Sequence, residues 1–405
     1  MRVLNIGIIG LGCVGMGVVE ILKKNRALIA KRCGHELVIT RGVVQDLSKK
    51  RAVDFPLSDR LEDILDDPSI DVVVELMGGV EQAFQVAQRA LKQKKGFVTA
   101  NKAMLAQHYY SLQNLGAMGF EASVCGGLPI LNALQEGLGA NEVLGIQGIL
   151  NGTTNFILSQ MEQGQDFASA LQQAQALGYA EANAHLDISG LDSAHKLLIL
   201  SFLAFHIQPS LDAVFIEGIE RIKPIDMHYA KRLERTIKHL ALAHKQGDKI
   251  ALSVCPVLLD QNHLLARVEG VMNGVCVLGD CLGESFYYGA GAGGLATASA
   301  VVSDLMGIAN KPFYPIAPTP HTCQTPQEIQ SAYYLRMELS PHSDPLCLIS
   351  PVLEKCHIKI CAYFQEDKTC IVITEITTQA HIQQALLLCQ QIPELQDIYA
   401  MRLYP

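Results

Sequence analysis

No apolar run in this chain of 405 residues reaches the length of about 18 that a helix needs to cross a bilayer. Met1–Gly10 lacks the n-region and cleavage pattern of a secretory signal. Cysteine is present 12 times, but no C-x-x-C pair occurs, and Cys255, Cys276, Cys361 and Cys389 sit inside apolar runs. That pattern fits reduced, buried thiols in a cytoplasmic protein better than disulfides or zinc. Basic residues do not dominate: the formal net charge of −8 argues against a nucleic-acid or polyanion partner. Tryptophan is absent, which by itself excludes nothing, and no repeat or low-complexity segment is visible. What is plentiful is apolar side chain, 49% of the residues, enough for a large core, and the length points to two or three domains.

The N-terminus carries the first chemistry. Asn5–Ile9 is a short apolar run, Gly10-Leu11-Gly12-Cys13-Val14-Gly15 follows at once, and Met16–Lys24 has the spacing of an amphipathic helix. A G-x-G-x-x-G between strand and helix is a dinucleotide fingerprint: Gly10 for the tight turn, Gly12 for close approach of a pyrophosphate, Gly15 for helix–strand packing. The second strand, Leu37–Val44, ends at Asp46, which suits an adenosine ribose, but Lys49, Lys50 and Arg51 follow and suit a 2′-phosphate. NADP is the expected coenzyme, with NAD the alternative. Asp71–Leu76 and Gly96–Ala100 continue the strand series, and Asn101-Lys102 at the end of the latter aims Lys102 toward the cofactor cleft.

Further along, Glu121–Ile130 (EASVCGGLPI) offers a carboxylate and carbonyls among small residues, the hard donors a monovalent or other hard cation takes; a buried strand and turn is the competing reading. Gly148–Leu158 (GILNGTTNFIL) reads as strand, turn and helix, with Asn151, Thr153 and Thr154 as ligand donors or ordinary caps. The richest segment is Gly178–Lys196. It gathers Glu181, Asp187, Asp192 and Lys196, the last two at i and i+4 on a helix. Three carboxylates and an ammonium around one bend can bind a zwitterion and handle a proton beside it; a solvated helix start with one ion pair is the bland alternative. Gly289–Gly294 (GAGAGG) is a second close-approach loop, expected to close the same site from another domain.

Taken together these motifs resemble homoserine dehydrogenases from Gly10 to about Asn310: GLGCVG, TANK at 99–102, EASVCGGLPI, NGTTNFIL, A-x-x-x-G-Y-A-E-x-x-x-x-x-D-I-x-G-x-D-x-x-x-K from Ala174 to Lys196, and GAGAGG. The family usually has Asp-Pro where this chain has Asn183-Ala184, so a rigid φ is lost before Asp187. The resemblance implies an oxidoreductase that reversibly reduces L-aspartate 4-semialdehyde to L-homoserine with NAD(P)H, on the route to threonine, methionine and isoleucine. It implies Lys102 as proton donor, assisted by Lys196, with Asp192 and Glu181 as active-site carboxylates. Substrate contacts fall on Glu181, Asp187, Lys196, Tyr179 and Thr153. Coenzyme contacts fall on Gly10, Leu11, Gly12, Cys13, Val14, Gly15, Lys50, Lys102 and Gly293. A structural Na+ or K+ falls on Glu121 and the carbonyls of Val124, Gly126 and Leu128. A homodimer or tetramer is expected. Two other readings stay open: another oxidoreductase of the aspartate pathway, which would need a cysteine nucleophile such as Cys125, and a non-catalytic NAD(P)-sensing regulator.

The last third differs. A proline-rich linker, 311–332, precedes a strand–helix–strand–strand–helix–strand order over 333–405, the ferredoxin-like plan. It resembles an ACT domain. The ACT first loop, roughly D-x-P-G-x-L-A, is SPHSDPLCL here (Ser340–Leu348), without the ligand-clamping glycine. Threonine is therefore an expected effector with weak inhibition or none, and a ligand-free dimerisation module is the alternative. The expected organisation is an α/β Rossmann-type domain over 1–130, completed by 290–310, an α+β catalytic and dimerisation domain over 131–310, the linker, and a separable ACT-like module over 333–405.

Overall fold

The computed structural model describes residues 2–310, 322–324, 330–340 and 344–404. Most of the expected proline-rich linker lies outside them. The chain divides into two compact units, each made of three stretches: Met1–Val143, His195–Ser210 and Gly279–His321; and Leu144–Ala194, Leu211–Leu278 and Thr322–Pro405.

The first unit is built on β1 (Arg2–Ile9), β2 (His35–Val43), β3 (Leu57–Ser58), β4 (Val72–Glu75), β5 (Gly96–Thr99) and β6 (Met118–Gly119). All pair in parallel, in the order β3-β2-β1-β4-β5-β6. This is the doubly wound dinucleotide-binding order, and its direction reverses between β1 and β4, where such sheets bind ligands at their carboxyl ends. Central strands read as continuous β-branched runs because helices cover both faces. One cover comes from far along the chain: Ala298, Val301 and Leu305 of helix Gly294–Asn310 pack with Ile6, Ile8 and Val18. The first unit thus runs past 130 to Val143 and takes in a stretch that starts at Gly279.

The second unit carries β7 (Val143–Ile149), β8 (Val214–Ile216), β9 (Arg235–Gln246), β10 (Lys249–Asp260) and β11 (Met272–Gly279). β12 (Gly283–Ala290) belongs to the first unit. The tail contributes β13 (Thr322–Gln324), β14 (Gln330–Leu339), β15 (Ile360–Glu366), β16 (Thr369–Thr374), β17 (Thr377–Thr378) and β18 (Leu395–Tyr404). Helices Pro345–Lys355 and Gln379–Cys389 complete a split βαβ arrangement, antiparallel in the order β18-β14-β16-β15.

The tail is not the separate module that its element order suggests. β18 pairs in parallel with β10 through Val257↔Arg402 to Leu259↔Tyr404, so one sheet runs β11-β7-β9-β10-β18-β14-β16-β15. The reason lies in β14, whose Tyr333–Met337 is buried on both faces, one apolar and the other carrying Tyr334 and Arg336. Tyr333, Leu335 and Met337 pack with the two tail helices. Tyr334, with Ile371, Tyr399 and Met401, packs instead with Phe156, Ile157 and Leu258 of the rest of the unit. No helix of the described residues is long and apolar enough to cross a membrane.

Candidate active site

In the first unit, β1 leads into a turn that the chain can make only with glycine. Gly10 sits at φ 94, and a Cβ there would meet the Leu76 carbonyl oxygen at 2.4 Å. Gly12 then opens helix Cys13–Lys24 as an N-cap with no side chain and open space before it, so the helix N-terminus faces outward with its amides available to an anion. The GAGAGG loop belongs to this same unit, which corrects the expectation that it closes the site from another domain. Gly127 N donates to Ala290 O at 3.1 Å. Cys13, Gly17, Gly293 and Gly294 line one cleft of about 730 Å³ together with Glu20, Lys23 and Ala52. Of the basic triplet, Lys50 is exposed, while Arg51 is drawn in: Nη1 donates to Asp46 O at 2.8 Å and to Lys49 O at 3.0 Å, and Nε to Leu11 O at 3.4 Å. The Asp46 carboxylate accepts from Ser48 N and Oγ, which holds its pKa below the usual range.

Lys102 is not the last residue of its strand. β5 stops at Thr99, Asn101 caps the next helix by accepting from Met104 N at 3.1 Å, and Lys102 is that helix's first residue. The junction is fixed by Glu75, a fully buried carboxylate that the sequence reading passed over as part of a strand. Thr99 Oγ1 donates to Glu75 Oε2 at 2.7 Å and Met77 N to Oε1 at 2.8 Å, while Asn101 N donates to Thr99 Oγ1 and Asn101 Nδ2 to Gly79 O. Burial pushes the Glu75 pKa up against these donors. A charged residue closing a run of valines just before Gly78-Gly79 was the available signal.

The expected cation ligands also lie in the first unit. Glu121 is buried and accepts from Leu131 N, Asn132 N and Asn132 Nδ2, so its carboxylate already caps the helical turn that starts at Ile130. Leu128 O accepts from Ile130 N, and Cys125 and Gly126 between the carbonyls are both left-handed, at φ 54 and 49. One carboxylate and three carbonyls are hard oxygen donors, a set that suits Na+ or K+ and not a transition metal. Among the described residues no cluster of three or more His, Cys, Asp or Glu side chains is poised for a metal. Cys125 is fully buried, so it offers no nucleophile to a substrate.

In the second unit, Asn151 organises the acidic segment. It caps helix Gly152–Glu162 by accepting from Thr154 N at 2.8 Å, and its Nδ2 donates to Asp187 Oδ1 at 2.7 Å and Asp192 Oδ2 at 2.8 Å. One amide thus holds two carboxylates side by side with both of its N–H groups. Asp192 is 5% exposed and Lys196, four residues on in helix Leu191–Phe205, 9%, so the bland reading of a solvated pair does not apply. Thr153 Oγ1 donates to Tyr179 O at 2.6 Å, whereas the Tyr179 and Glu181 side chains are exposed. Where the family's proline is missing, Asn183 Oδ1 accepts from His185 N at 3.2 Å and starts the helix His185–Ile188 that carries Asp187.

Two titratable groups lie beneath this segment. The His239 ring contacts Gly190, and its Nε2 is 2.9 Å from Glu217 O; burial lowers its pKa to about 4, so the neutral ring donates that bond. Burial raises the Glu217 carboxyl to about 7, with the charge of Arg221 pulling the other way. Between its ordinary value of 4.5 and about 7, the folded chain keeps a proton there that the unfolded chain has lost. Stability from this group is therefore present at the acid end of that window and lost as pH rises through it. The midpoint of thermal unfolding should fall from about pH 5 to about pH 8, and less steeply in Glu217→Gln. Identical slopes in the two proteins would assign the dependence elsewhere.

Two stretches of the chain match family models: residues 10–117 the homoserine dehydrogenase NAD-binding domain, and residues 129–306 homoserine dehydrogenase. A homoserine dehydrogenase of Helicobacter pylori is 44% identical, the match covering 98% of this chain and 96% of that protein. The crystal structure of a homoserine dehydrogenase from Thiobacillus denitrificans superposes with a TM-score of 0.94 at 37% identity, covering 100% of this chain and 99% of that one. A hyperthermophilic archaeal homoserine dehydrogenase in complex with NADPH aligns with a TM-score of 0.66 at 25% identity over 77% of this chain and all of that one. Identity that extends over nearly the whole of both chains, and a superposition that covers them end to end, establish that this chain belongs to the homoserine dehydrogenase family.

Proposed function

We propose that the chain catalyses reversible hydride transfer between NADP(H) and the L-aspartate 4-semialdehyde/L-homoserine pair, with the following division of labour. The pyrophosphate lies on the amides after Gly12, and Gly10, Leu11, Cys13, Val14, Gly15 and Gly293 shape its bed. Lys50 and Arg51 favour a 2′-phosphate, hence NADP over NAD. Asp187, with Glu181 and Tyr179, takes the substrate's α-ammonium, and Thr153 fixes the turn they stand on. The bound dinucleotide supplies the hydride that reaches the aldehyde carbon. Lys102 gives the proton to the oxygen, which would otherwise develop as an alkoxide, and takes it back in homoserine oxidation. Asp192 orients Lys196, so that Lys196 assists at the same oxygen. Glu121 and the carbonyls of Val124, Gly126 and Leu128 would hold a monovalent cation that stiffens the turn before helix Ile130–Asn132.

The observation that carries this reading is the Asn151 clamp, in which one buried amide keeps two carboxylates adjacent. Asp192→Asn should lower kcat for homoserine oxidation by on the order of 10²-fold or more, a change far beyond the loss of about 1 kcal/mol expected of a surface ion pair. NADPH formation by the variant at the wild-type rate would return Asp192 to a structural role. The tail has the element order of an ACT domain, but its altered first loop points to weak threonine inhibition or none. Strong inhibition of the same assay by sub-millimolar L-threonine would overturn that expectation.

A further inference from the structure

The residues Glu217–Lys223 form a strap between β8 and helix Pro224–Arg232, and their two edges bond to different partners. On one edge, Ile219 N donates to Ile188 O at 2.9 Å, closing the helix that carries Asp187. Gly218 lies so near this helix end that a Cβ would meet Ile188 O at 2.4 Å and Ser189 Cα at 2.9 Å. On the other edge, Arg221 Nη2 donates to Asp397 Oδ1 at 2.9 Å and to Ile398 O at 2.5 Å, both in β18. Arg221 O accepts from Arg336 Nη2 at 3.1 Å, and Lys223 Nζ donates to Glu338 at 2.7 Å and Asp397 at 3.0 Å. The strap cannot slide between these edges, because Ile219 and Ile222 are buried in the core of the unit.

We propose that this strap is the means by which the tail sets the position of Asp187, making Gly218 and Arg221 positioning residues for substrate binding although neither touches substrate. The tail is then a working part of the substrate site, and any displacement of β18 is passed to the Asp187 turn by two main-chain contacts. The proposal rests on the reading of Asp187 as a substrate contact. A backbone shift of about 1 Å is enough to misplace a carboxylate that must meet an ammonium at hydrogen-bond distance.

The test uses the full chain. Gly218→Ala should raise the KM for homoserine on the order of 10-fold to 100-fold while the KM for NADP stays near the wild-type value, since the coenzyme turn belongs to the other unit. The Arg221 side chain is 51% exposed, so Arg221→Ala spares the core; it should raise the homoserine KM in the same direction, and Arg221→Lys should restore part of it through Asp397. A general loss of fold would instead lower kcat and weaken both substrates together. Asp187→Asn is the companion variant. If it raises the homoserine KM and the strap variants do not, the strap proposal is overturned alone; if Asp187→Asn leaves that KM unchanged, the substrate reading falls and takes the proposal with it.

Discussion

Lys102→Ala should lower kcat for homoserine oxidation by about 10²–10⁴-fold, the range expected when a general acid–base group is removed, while NADP(H) still binds. The fingerprint turn and the cleft beside it are built by Gly10–Gly15 and Gly293-Gly294, and Lys102 lines neither. The junction that carries Lys102 is held by Glu75, Thr99 and Asn101, all of which survive the substitution. Coenzyme titration by fluorescence and steady-state rates on homoserine separate the two effects. A variant that turns over within a fewfold of wild type would remove Lys102 from the proton path.

Arg336→Ala should cost about 3–5 kcal/mol of stability, the range for stripping one partner from a buried ion pair. Arg336 and Asp226 are both fully buried, Nε to Oδ1 at 2.9 Å, and Tyr334 donates to the same carboxylate oxygen at 2.8 Å. Without the guanidinium, Asp226 is left as a buried charge with a hydroxyl and the Lys223 amide for partners. A chain cut before β14 loses both Arg336 and Tyr334, and exposes β10 and the apolar face of Phe156, Ile157 and Leu258. Such a truncation should fail to fold, against the expectation from sequence that residues 1–310 stand alone. Chemical denaturation of Arg336→Ala and circular dichroism of the truncated chain measure this. A shortened chain that unfolds cooperatively at the midpoint of the intact protein would show that the tail is separable after all.

Much of the first unit was legible because its signals are local. A strand, a glycine turn and a helix follow each other directly in the chain at Asn5–Lys24, and the valine run at 72–75 admits few other readings. The same holds for the acidic segment, whose residues lie close in sequence, and for the element order of the tail. Glu75 was hidden because a strand pattern says nothing about a carboxylate whose partners, Thr99 and Asn101, lie on the next strand and loop. Arg221 and Gly218 were hidden for a stronger reason: the strap has no motif, and its partners Ile188, Arg336 and Asp397 are distant along the chain in both directions.

The sequence by itself determined the dinucleotide turn, the coenzyme-domain fold, the candidate lysines and carboxylates, and through them the family. Each of these rests on residues a few positions apart, where backbone geometry and side-chain spacing leave little freedom. Only the tertiary structure decided that the GAGAGG loop sits with the coenzyme turn, that Asn151 joins Asp187 to Asp192, and that the tail shares a sheet and a buried ion pair with the unit that carries Asn151. Those outcomes depend on which apolar faces find each other. β14 has two buried faces, and local sequence cannot say that the tail helices cover only one of them.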